Sequence, residues 1–138
     1  MLFAVWISSN VVIFIFCGDP WIILHFVWFK SNSDISCKSL LKDNSKGIFN
    51  GKILVSNDAS GTDATLNNNN LLLSHKAEMQ SNPQLEINCE DVKCSHGSTT
   101  GALDEDQIFY MRTRGISKEE AKKLLISGFL NETIDRID

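Results

Sequence analysis

The sequence predicts a mainly β chain with C-terminal helices, in which solenoid coils are followed by a helical hairpin. Three observations predict it. The apolar runs between residues 47 and 94 are short and are separated by stretches rich in Asn, Gly and Asp. Their centres recur roughly every 16–18 residues, the rhythm of a chain that turns and stacks on itself. From residue 104 onward the apolar period changes from 2 to 3.6.

The strand candidates follow in order. Gly51-Lys52-Ile53-Leu54-Val55 is the first, and Leu71-Leu72-Leu73 is the second. Leu85-Glu86-Ile87 alternates with period two, and Val92-Lys93-Cys94 is the fourth. Ser31-Asn32-Ser33-Asp34 has the composition of a polar linker. Residues 56–61 and 66–70 carry turn-forming residues. The Asn67–Asn70 run has two readings, a loop without a role or amides that satisfy one another between stacked coils. In a solenoid each coil supplies only a few inward apolar side chains, so a thin core per coil is compatible with order. A small antiparallel sandwich has similar runs, and spacing alone does not separate the two.

The tail has helix signals at both ends of a first segment and at the start of a second. Asp104 with Gln107 three residues on is a capping-box pattern, and Gly115 is a C-terminal stop. Ser117 with Glu120 repeats the pattern. Ile108, Phe109 and Met111 are expected on one face of the first helix. Ala121, Leu124, Leu125 and Phe129, continued by Leu130, Ile134 and Ile137, form an apolar stripe along the second. That stripe needs a surface, either the end of the sheet or another protein.

The chain divides by composition into a leader (1–30), a polar body (31–103) and the helical tail (104–138). The stretch 1–29 is mostly apolar and holds all three tryptophans and most of the phenylalanines. Asp19-Pro20 interrupts it, and burying Asp19 in a membrane costs roughly 3 kcal/mol. No Lys or Arg precedes Lys30, so the leader lacks the basic region of a secretory signal and the arginines of a transit peptide. Three readings stand: a membrane anchor, a segment foreign to the fold at a gene junction, or a hairpin of buried apolar strands.

The net charge of −4 falls on residues 31–138, body and tail together, which argues against a nucleic-acid partner, since that needs a basic face. Four cysteines at 17, 37, 89 and 94 are too few and too scattered for a disulfide scaffold, so a reducing compartment is expected. The chain lacks a G-x-x-x-x-G-K-[ST] string, so any nucleotide dependence is expected from a partner rather than from nucleotide bound here.

The chemistry-bearing stretch is Cys89 to Gly97. On an extended strand Cys94 and His96 share one face, where a thiolate and an imidazole can converge on iron, zinc or cluster sulfur. The spacing is not that of a zinc motif, and no orienting residue for a Cys–His hydrolase is evident. The plainer alternative is an inward structural cysteine with His96 in a turn before Gly97.

Val92-Lys93-Cys94-Ser95-His96-Gly97 and Phe109-Tyr110-Met111-Arg112-Thr113-Arg114-Gly115-Ile116, with residues 47–55, 62–64, 69–74, 83–87 and 103–105, resemble the SufB/SufD family of the SUF iron–sulfur cluster assembly system. The likeness is to the SufD branch and covers about residues 36–138. It implies a right-handed parallel β-helix followed by a C-terminal helical region, and a scaffold role without turnover of its own. It further implies a SufB-like subunit and a SufC-like ATPase as partners, with a nascent iron–sulfur cluster formed at the subunit interface. His96 matches the family's interface histidine, and Cys94 the neighbouring cysteine. Phe109, Tyr110, Arg112, Arg114, Leu124, Leu125 and Phe129 then become the candidates for docking the ATPase. The family implies a bacterial cytoplasm or a plastid, with membrane association through residues 1–29 left open. Family members extend further at both ends, so the chain is expected to be a truncated C-terminal piece. A non-functional gene fragment and a membrane-anchored metal-binding module are the alternatives.

Overall fold

The computed structural model describes residues 32–134 in full, and the backbone of three strands before them. Those strands are β1 (Val5–Ser8), β2 (Val11–Ile15) and β3 (Trp21–Phe26). Five longer strands of equal length follow: β4 (Asn32–Leu41), β5 (Lys46–Val55), β6 (Asp63–Leu72), β7 (Glu78–Ile87) and β8 (Lys93–Ala102). Two helices complete the order, α1 (Glu105–Thr113) and α2 (Lys118–Ile134). The expected class, mainly β with C-terminal helices, is the one observed.

The strands fall into two sheets that alternate along the chain. One has the order β1-β2-β4-β6-β8 and the other β3-β5-β7. β1 and β2 pair antiparallel, and every later pairing is parallel. Asn32 lies opposite Asp63, and Asp63 opposite Lys93. In the second sheet Lys46 lies opposite Glu78. The pairs β3–β5, β4–β6, β5–β7 and β6–β8 are thus offset by roughly 30 residues, a step within the range of stacked structural repeats.

Side-chain direction alternates along each strand, and one face of each sheet turns inward. Ile35 and Cys37 of β4, Phe49, Ile53 and Val55 of β5, and Ala64 and Leu66 of β6 build the buried cluster. β-branched and aromatic residues suit such a pleated, enclosed surface. Gly51 sits in this row where a Cβ would meet Phe49 at 2.7 Å and Leu66 at 2.8 Å, so only glycine fits between the sheets. Burial declines in β7 and β8, the last strands of the two sheets among the described residues.

Two segments differ from expectation. Of the polar stretch Ser31–Asp34, residues 32–34 are not a linker but open the strand Asn32–Leu41, paired on both sides, and Ser31 lies outside the described residues. The run Asn67–Asn70 is not a turn. It lies within β6, with Asn68 and Asn70 in the inward row that Ala64 and Leu66 begin. Pairing on both edges of β6 overrides the turn preference of asparagine. The amide contact between neighbouring strands occurs elsewhere, from Asn82 Nδ2 to Asn50 Oδ1 at 3.1 Å. The turn at residues 56–61 is present, with Ala59 N–H donating to the Ser56 carbonyl and Gly61 at φ 77°.

The helix signals are local and are realised locally. Asp104 Oδ1 accepts from the backbone N–H of Asp106 and Gln107 at 2.9 and 3.3 Å. Gly115 takes the left-handed conformation at φ 85°. Ser117 Oγ accepts from the Glu120 N–H at 3.3 Å. The predicted stripes are only partly buried. Ile108 is enclosed while Phe109 is 64% exposed, and Ala121 is enclosed while Leu124 is 52% exposed. Leu125, Phe129 and Leu130 are half-buried, and Ile137 lies outside the described residues. Among the described residues no helix is long and apolar enough to cross a membrane. The readings of the leader as an anchor or as a foreign segment rest on side chains outside the described residues. Its strands β1 and β2 do form an antiparallel pair, and β2 and β3 join the two sheets.

Candidate functional site

Cys94 and His96 both lie on β8, where the register sets Cys94 opposite Ala64 and His96 opposite Leu66. Ala64 and Leu66 are fully enclosed, so the two residues stand in the inward row of the outermost strand. Two residues along a strand place their Cα atoms about 7 Å apart on the same face. The expected shared face is therefore present.

Their environments differ. Cys94 is half-buried and packs against the apolar cluster. His96 is exposed, because among the described residues no strand stacks beyond β8 to cover it. Burial raises the Cys94 thiol above its ordinary value; the Ala64 backbone hydrogen bond works against this and the Asp63 carboxylate adds to it. A neutral thiol held this way becomes a ligand when a cation displaces its proton. Cys89 is half-buried against the same cluster, and Cys37 is enclosed, with its thiol pushed up to about 12 by burial. Among the described residues no third His, Cys, Asp or Glu joins Cys94 and His96 in a metal-sized group.

A polar network continues the same inward row. Asn68 Oδ1 accepts from Asn70 Nδ2 at 2.7 Å and from Ser81 Oγ at 2.8 Å. Ser98, two residues beyond His96, donates to Ser81 Oγ at 2.8 Å. Asn70 Nδ2 also reaches the Thr99 carbonyl at 3.1 Å. β6, β7 and β8 are thereby tied together from inside. The sequence marks Asn68, Asn70 and Ser98 only by their even spacing from Ala64 and Cys94, and Ser81 on β7 by no such spacing.

The helical candidates gather on the hairpin. Phe109 and Tyr110 are 64% and 59% exposed, and Arg112 and Arg114 are exposed. Arg114 Nη2 donates to the Tyr110 hydroxyl at 2.7 Å, with its guanidinium 5.1 Å from the ring centroid. Leu124 faces outward, whereas Leu125 and Phe129 are half-buried. Phe129 lies against Lys38 of β4, a residue that sequence patterning does not single out.

The parallel sheets, the Cys94/His96 row and the capped hairpin meet a match to known proteins over the same stretch. Residues 24–129 match the model of the SUF system FeS cluster assembly SufBD core domain, and the chain belongs to that family. It is 44% identical over 100 residues to the iron–sulfur cluster assembly protein SufD of Escherichia coli K12, covering 72% of this chain and 24% of that protein. Identity to SufD of Bacillus subtilis 168 is 38% over 98 residues, 71% of this chain and 22% of that one. With the chloroplastic protein ABCI7 of Arabidopsis thaliana it is 41% over 91 residues, 66% of this chain and 19% of the relative. The chain thus spans about a quarter of the length of these two SufD proteins.

Proposed function

We propose that the chain acts as a SufD-like scaffold component of iron–sulfur cluster assembly, with a SufB-like subunit and a SufC-like ATPase, and without turnover of its own. The observation that carries this reading is the exposed imidazole of His96 beside the half-buried thiol of Cys94 on the outermost strand. A borderline-soft nitrogen and a soft sulfur in one row suit iron or a nascent cluster as cargo. Ligands beyond these two come from the partner subunit. The bacterial and chloroplastic relatives support the cytoplasm or the plastid as its setting.

In this reading the two sheets are faces of a right-handed parallel β-helix. The alternation of strands between sheets and their steady offset of roughly 30 residues support it. The exposed side of the hairpin, with Phe109, Tyr110, Arg112, Arg114 and Leu124 outward and Leu125 and Phe129 beneath, docks the ATPase.

Co-expression with SufB- and SufC-type partners tests the proposal. Co-purification of all three with bound iron and sulfide is expected. His96→Ala should retain the partners and lower the iron content at least fivefold. A soluble chain that retains neither partner overturns the scaffold role, and unchanged iron in the His96 and Cys94 variants overturns the ligand assignment.

A further inference from the structure

We infer that Lys38 is the anchor that fixes the helical hairpin on the sheet, and so a positioning residue for the docking side of α2. Lys38 points from the outer face of β4 and is 2% exposed. A lysine is almost never so enclosed unless its charge is paired. Its ammonium donates to the Phe129 carbonyl at 2.5 Å and to Glu132 Oε2 at 2.6 Å, and lies 4.7 Å from the Phe129 ring centroid. All three contacts fall between Phe129 and Glu132, near the C-terminal end of α2.

The rest of α2 is lightly held. Ala121 and Thr133 are its enclosed residues. Its N-terminal end is tied to α1 through Lys118 and Glu105 at 3.8 Å, a pair exposed to water. Exposed pairs of that kind contribute little, whereas an enclosed ammonium left without partners is strongly unfavourable. The Lys38 contact therefore selects one rotation of α2 about its axis. In that rotation the Phe129 ring turns toward the sheet and Leu124 stays outward.

The consequence for partner binding rests on the docking role proposed above, but the anchor does not. Hydrogen exchange read by mass spectrometry on the full chain separates them, with a SufC-type ATPase as the binding probe. In Lys38→Met, amides of residues 118–134 are expected to exchange at least tenfold faster while β5 and β6 are unchanged. Glu132→Gln should give a smaller increase in the same peptides. The double variant should exchange no faster than Lys38→Met alone. Unchanged α2 exchange in Lys38→Met overturns the anchor. If that variant loses protection throughout the sheets, Glu132→Gln decides: a local increase in α2 supports the anchor, and no change overturns it. Affinity for the ATPase should fall about tenfold in Lys38→Met. Wild-type affinity alongside faster α2 exchange overturns the positioning role. A wild-type chain that binds no ATPase, with α2 exchange still responding to Lys38, sinks the docking reading and leaves the anchor standing.

Discussion

Asn68 on β6 accepts a hydrogen bond from Ser81 on β7 at 2.8 Å, and so joins the two sheets through a polar contact inside the fold. Asn68 is completely enclosed. Asn68→Ala leaves the Ser81 hydroxyl without its acceptor and removes the shortest bond of Asn70 Nδ2, which keeps the Thr99 carbonyl and Thr100 Oγ1. The expected loss is about 2–3 kcal/mol, since an enclosed polar group stranded without a partner costs its desolvation. Ser81→Ala should cost about 1 kcal/mol, the net worth of one hydrogen bond. Urea denaturation of the two variants checks the order.

The glycines of the strands differ sharply in what a methyl group would meet. Gly51→Ala places a Cβ within 2.8 Å of Phe49 and Leu66 side chains, and overpacking of that kind costs about 1–3 kcal/mol. Gly101 on β8 has nothing within 4 Å of the same position, so Gly101→Ala should shift stability by no more than about 0.5 kcal/mol. Thermal unfolding of the pair distinguishes an enclosed inner row from an open last strand.

Cys37 makes stability depend on alkaline pH. Its thiol titrates near 12 in the folded state against 9.0 ordinarily, because burial penalises the thiolate. The folded chain keeps a proton that the unfolded chain releases. This contribution is fully present below pH 9 and is lost as pH rises toward 12, at a slope approaching about 1.4 kcal/mol per pH unit. Urea midpoints measured from pH 8 to pH 11 should fall more steeply for the wild type than for Cys37→Ala. Equal slopes would exclude the thiol as the cause.

The hairpin ends are separately testable. Asp104→Ala removes the acceptor for two backbone N–H groups and should cost about 1 kcal/mol. Gly115→Ala forces a side chain into φ 85° and should cost about as much. Far-UV circular dichroism should show lower helical signal in both, with the sheet contribution kept.

What the sequence discloses depends on how local each cause is. Asp104, Gly115 and Ser117 act within a few residues, and all three do what their spacing predicts. Cys94 and His96 share a face because strand geometry alone requires it. Asn67–Asn70 escapes a local reading because asparagine favours turns in isolation, while the paired strands β4 and β8, remote in the chain on either side, hold the run extended. Phe109 is outward because hairpin packing encloses Ile108 instead, a choice that helical periodicity leaves open. Lys38 carries no local signal, since its partners Phe129 and Glu132 lie near the other end of the chain.

The offset of about 30 residues in the pairs β3–β5 through β6–β8 also governs kinetics, since each of these parallel pairings must close a loop of that length before any contact rewards it. The entropic cost is nearly the same at every step. Among the described residues no pairing after β1–β2 has a short turn to nucleate it. The body should therefore form slowly, through growth from whichever pair closes first, while α1 and α2 assemble quickly from neighbouring contacts.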